Sequence, residues 1–143
     1  MDQHNPIIKL CVAGMTAEGD GQHERARMLF LQAWENSTTD FERCTSAHYV
    51  ARHQTTPEDT LHWNLESLLY ANAVGDASVS AFYPSLYLNI AHSYEQLGNH
   101  VEAKLYYELA AEMCDVLGDD PYSMKIRAGV EAGMERVNNV DSK

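Results

Sequence analysis

The chain has 143 residues, enough for one hydrophobic core and too few for two ordinary domains. Hydrophobic residues make up 45% and charged residues 22%, a globular balance, and no apolar run approaches the roughly 18 residues of a membrane helix. Ten Lys and Arg stand against 21 Asp and Glu, a formal net charge of −11, which repels phosphate backbones and excludes nucleic acid and anionic membranes as expected partners. The same acidity serves solubility and suits a partner with a cationic segment.

The start, Met1-Asp2-Gln3-His4-Asn5-Pro6, lacks the basic residues and apolar stretch of a secretory leader, so cytoplasmic residence is expected. Seven helices are predicted, over about residues 6–18, 22–36, 40–54, 57–73, 83–97, 100–116 and 121–138, and no segment alternates as a strand would. The four prolines, at 6, 57, 84 and 121, fall at helix beginnings, where a missing N–H costs nothing. Gly19-Asp20-Gly21 turns the chain between the first two helices. Thr56-Pro57-Glu58-Asp59 opens the fourth with a capping hydroxyl, a proline and two carboxylates. Residues 74–82 form an inserted turn, in which Phe82, Tyr83 and Pro84 either staple the fifth helix or offer an exposed aromatic patch. Gly98 stops the fifth helix, and Asn99 to Glu102 resembles a capping box for the sixth. The seventh starts after Asp119-Asp120, with Ile126, Val130, Met134 and Val137 on one apolar stripe. Its Gly129 and Gly133 fit either close packing or a frayed end, and nothing predicts order for residues 138–143.

Chemistry-bearing motifs are missing. There is no Walker-type loop, no G-x-G-x-x-G, no G-x-S-x-G and no H-E-x-x-H, and His23-Glu24-Arg25-Ala26-Arg27 has arginine where a second zinc histidine belongs. No catalytic residue is assigned and no cofactor is expected. Cys11, Cys44 and Cys114 form no C-x-x-C pair and sit on apolar helix faces as reduced thiols. No metal site is expected either. His48, His53 and His62 lack an i, i+4 spacing, which leaves only His53 and His92 with Glu95 as a conceivable ligand set.

A repeat organises the whole. Tyr87, Ile90, Ala91, Tyr94, Leu97 and Gly98 are followed by Ala103, Tyr107 and Ala110. Looser copies run from Cys44, Ala47, His48 and Ala51 to Thr60, Asn64 and Ser67, and from Ile8, Cys11, Val12 and Met15 to Ala26, Phe30 and Ala33. The starts Ile8, Cys44 and Tyr87 are 36 and 43 residues apart, and the surplus over 34 falls in turns. At every spacing residues 84–117 resemble the tetratricopeptide repeat, and residues 6–75 resemble it loosely. With segments such as His48-Tyr49-Val50-Ala51-Arg52-His53-Gln54 and Phe82-Tyr83-Pro84-Ser85, the chain also looks like short stand-alone bacterial repeat proteins. The resemblance implies an all-α, right-handed superhelix of three antiparallel helix pairs, at about 6–38, 40–75 and 83–117, closed by a capping helix at about 121–138 in one domain over 1–143.

It further implies a non-catalytic scaffold that holds a protein or peptide on the concave face of its first helices. The family's groove positions fall on Lys9, Tyr49, Arg52, His53, Leu88, Asn89, His92, Glu95 and Gln96, with Ala13, Thr16, Glu42 and Thr45 beside them. A carboxylate clamp is not expected, because only Lys9 matches and Ala13 and Ser46 replace the asparagines. In the second pair His48 stands at a small position and Asn64 at an aromatic one, which predicts a buried polar contact between them. The alternatives are a homodimerising module, and a small-ligand sensor or unrecognised enzyme with a polar pocket around His48, Arg52, His53, Trp63 and Asn64.

Overall fold

The computed structural model describes residues 4–141, which are all-α, with no strand among them. The start read as leaderless at Met1-Asp2-Gln3, and Ser142-Lys143 of the tail, lie outside the described residues. The helices are α1 (Pro6–Gly19), α2 (His23–Asn36), α3 (Asp40–Ala51), α4 (Pro57–Val74), α5 (Tyr83–Gln96), α6 (His100–Met113) and α7 (Pro121–Asp141). No helix among the described residues is long and apolar enough to cross a membrane. The chain forms two compact units, Met1–Gly75 and Asp76–Lys143.

In the first unit α1 pairs with α2, α3 pairs with α4, and α2 packs on α3. Side-chain caps set the starts. Asn5 Oδ1 accepts from the Ile7 and Ile8 N–H groups at 2.8 and 3.2 Å, Thr39 from Glu42 N, and Thr56 from Asp59 N. Gly75, at φ +66°, ends α4 in the left-handed region that glycine enters without strain. One core gathers Ala17, Ala26, Phe30 and Val50, and a second gathers Ile7, Cys11 and Ala33. Gly14 lies so close to Phe30 that a Cβ there would overlap the ring. Burial pushes the Cys11 and Cys44 thiols up to about 12 and about 11.

The second unit is built from α5, α6 and α7, with α5 against α6 and α7 lying on both. Ala91, Ala103, Tyr107 and Val137 form one core cluster, so the small positions of the repeat do meet. Ala110, Ile126 and Val130 form another. Gly98 at φ +82° closes α5, and Asn99 N–H returns to Tyr94 O at 2.9 Å.

Four boundaries differ from the expectation, each for a physical reason. α3 stops at Ala51 rather than 54, because Arg52 and His53 turn back on the Tyr49 and Val50 carbonyls at 3.1 Å and leave the helix to reach α1. The insertion contains a 3-10 helix over Ala77–Phe82, started by Asp76, whose Oδ1 accepts from Ser78 N. Tyr83 then packs on Tyr87, with ring centroids 5.6 Å apart. α6 tightens into a 3-10 turn over Cys114–Val116, which leaves Cys114 only half-buried. Finally α7 continues to Asp141, past the expected 138, with Val137 in the core.

Arg127 joins α6 to α7. Its guanidinium donates to the carbonyls of Gly118, Cys114 and Leu117 at 2.6, 3.2 and 2.8 Å, which satisfies backbone acceptors at the end of α6. Arg127→Ala is expected to cost about 2 kcal/mol, since hydrogen bonds from charged donors are worth about 1.5–3 kcal/mol and this group is partly exposed. Urea denaturation followed by far-UV circular dichroism checks it, and an unchanged midpoint would refute the bridging role.

Candidate functional site

In the first unit the assigned groove residues sit on α1 and at the end of α3. Lys9 is exposed on α1, as are Ala13 and Thr16. Tyr49 is half-buried, stacked on Phe30 with ring centroids 5.1 Å apart, and the Arg52 guanidinium lies 5.5 Å from its ring centre. Thr45, by contrast, is buried and donates to Phe41 O, so it is not available to a ligand. Glu42 is also occupied. It accepts from Thr38 N at 2.9 Å and from Asn5 Nδ2 at 2.9 Å, and these bonds hold its carboxyl below the usual range. It ties the start of α1 to the start of α3.

Arg52 and His53 converge on Glu18, a residue not singled out in the sequence. Arg52 Nη2 lies 3.0 Å from Glu18 Oε1, and His53 Nε2 lies 2.7 Å from Oε2. One carboxylate therefore clasps a guanidinium and an imidazole, fastening the end of α1 to the end of α3. Phe30 flanks His53 with ring centroids 5.5 Å apart. Nothing local in the sequence marks Glu18, because its partners are 34 and 35 residues away.

The polar second pair takes a different form from the one expected. His48 and Asn64 are both buried. Yet Asn64 donates to Thr60 O on its own helix at 3.0 Å, and its Oδ1 accepts no hydrogen bond, so the expected pairing with His48 is not made. The long amide reaches back along α4 instead of across to α3. The hydrogen bond between the helices comes from Ser67, whose hydroxyl donates to Cys44 O at 2.8 Å. Burial, with the nearby Arg52 charge, depresses the His48 imidazole to about 4. Trp63 packs edge-on against Trp34 at 5.1 Å, beside His62.

In the second unit His92 and Gln96 are exposed on α5, and Asn89 is half-buried. Leu88 faces α7, where a Cβ on Gly129 would come within 3.1 Å of its Cδ2. Glu95 is engaged on all sides. Tyr107 Oη donates to it at 2.7 Å, and Arg136 donates through Nε at 2.8 Å and Nη2 at 3.1 Å. Arg136 holds the Glu95 carboxyl below its usual range, while burial and that carboxylate push the Tyr107 phenol up to about 12. In each unit one carboxylate thus gathers an arginine and a second side chain: Glu18 ties α1 to the end of α3, and Glu95 ties α5 to α6 and α7. Among the described residues, no three His, Cys, Asp or Glu side chains gather as a metal site would require.

The family model described as tetratricopeptide repeat matches residues 84–115, which cover the α5–α6 pair. That match, with the seven α-helices of the described residues, fits a tetratricopeptide-like helical repeat protein. No curated protein and no solved structure matches the chain.

Proposed function

We propose that this tetratricopeptide-like chain is a non-catalytic scaffold in the cytoplasm that binds a protein or peptide segment of cationic character on its first-helix faces. The matched repeat carries the reading, because repeats of that class generally serve as protein-interaction scaffolds. Three free cysteines suit a reducing compartment. The net charge of −11 favours a positively charged segment and predicts binding that weakens as salt rises.

Of the residues assigned to the ligand face, Lys9 and His92 are the best probes. Both are exposed, whereas Arg52 and His53 are held by Glu18 and their loss would disturb the fold. A Lys9→Glu, His92→Glu double variant is expected to retain native helicity and to lose at least tenfold in capture of a specific partner from native lysate. Equal recovery by wild type and variant at every salt concentration would end this assignment.

A further inference from the structure

Two side chains that the family resemblance assigns to a ligand face are covered within the chain itself. Leu88 meets α7 at Gly129, and the Glu95 carboxylate is taken up by Arg136 of α7 with Tyr107 of α6. α7 lies on α5 and α6 as a docked helix would. Its register is specific. Gly133 backs onto the Tyr107 ring, where a Cβ would overlap, and Ile126, Val130 and Val137 fill the contact. The outer positions Lys125, Glu131 and Glu135 stay exposed.

α7 is held at both ends by side chains. Arg127 fixes its beginning to the carbonyls of Cys114, Leu117 and Gly118, and Arg136 with the buried Val137 fixes its far half on Glu95 and Tyr107. Between them two interior glycines weaken the free helix, since glycine forms helix poorly. The distal half therefore depends on these contacts, the Arg136–Glu95 pair among them.

We propose that the α5–α6 face beneath α7 is a docking site for a helix of another protein, with α7 as its built-in competitor. The inference rests on the scaffold reading above. The occupant's chemistry follows from α7: an amphipathic helix with two small residues four apart and an arginine three positions after the second. The small residues permit approach to Leu88 and Tyr107. The arginine is required because Glu95 is sheltered, with its side chain 18% exposed, and loses its counter-charge when Arg136 leaves. Residues 76–143 carry five Lys and Arg against 11 Asp and Glu, which draws a cationic helix in preference to an acidic one.

The test uses the full chain and a fluorescent peptide of residues 121–141 as the probe. Arg136→Glu in the chain turns the Glu95 contact repulsive and loosens α7. Fluorescence anisotropy is expected to show the peptide binding this variant at least tenfold tighter than wild type, with Gly133→Leu in the peptide abolishing the gain. Equal affinity for both chains, with the variant still helical by circular dichroism, overturns the proposal. Should that variant unfold, hydrogen exchange on the wild type decides: α7 amides beyond Arg127 are expected to exchange faster than those of α5 and α6, and exchange only in one global event overturns it. A wild-type dimer linked by exchanged α7 in sedimentation would also overturn the assignment to a foreign helix. The capture experiment reads Lys9 and His92, so failure there and failure here are told apart.

Discussion

Replacing Gly133 with alanine is expected to destabilise the second unit by about 2 kcal/mol, although alanine is the better helix former by about 1 kcal/mol. The added methyl would overlap the ring of Tyr107, which has no solvent-accessible surface and no room to retreat. Its hydroxyl is held by Glu95 and Arg136, so the ring cannot swing without breaking that network. Overpacking of a fixed core costs about 1–3 kcal/mol, and the upper end applies here, less the helix-propensity gain. Gly129→Ala is the control. Its methyl would come within 3.1 Å of Leu88 Cδ2, the end of a flexible side chain that can shift, so the net change should be near zero or slightly stabilising. Denaturation followed at 222 nm compares the two variants. If Gly133→Ala matches or exceeds wild type, the close approach of α7 to α6 is wrong.

The first unit is expected to lose about 3 kcal/mol of stability as the pH falls from 6.5 to 4. The His48 imidazole is depressed from 6.5 to about 4 by burial and by the Arg52 charge. Below 6.5 the unfolded chain binds a proton that the folded chain refuses, so the contribution is complete above 6.5 and drains away down to about 4. Each pH unit of difference is worth about 1.4 kcal/mol, which sets the total. Glu18 does not relieve the strain, since Arg52 and His53 already occupy its two oxygens. Both tryptophans, Trp34 and Trp63, lie in this unit and pack on each other, so their fluorescence follows its unfolding alone. His48→Leu should flatten the profile between pH 6.5 and 4.5. A variant as acid-sensitive as wild type would move the cause elsewhere.

The helices and their pairing were legible in the sequence because they depend on local signals: prolines and hydroxyls at starts, glycines at stops, and small residues at fixed spacing. What escaped depends on contacts far apart along the chain. The end of α3 shows this well. Arg52-His53-Gln54 contains neither glycine nor proline, and the helix ends there because Glu18, 34 residues earlier, offers its carboxylate. Asn64 shows a second limit. Its burial followed from its repeat position, but its partner did not, since a side-chain amide can donate to a carbonyl of its own helix. The pair His48 and Asn64 also has a simple steric logic. In the third pair a small Ala91 on the first helix accompanies a large Tyr107 on the second, and in the second pair the sizes are exchanged, so the filled volume is kept while an imidazole enters the core. The role of α7 lay outside the groove assignment, which treats Leu88 and Glu95 as open.

The thiols turn this architecture into something that can be timed. Cys11 and Cys44, at about 12 and about 11, hold almost no thiolate at neutral pH and are shut away inside α1 and α3, whereas Cys114 stands half-open at the end of α6. Burial raises the Cys114 thiol too, so an alkylating reagent should mark it slowly but first, and reach the other two only when their helices part. Mass spectrometry of the labelled chain then yields opening rates for α1 and α3, with no engineered reporter.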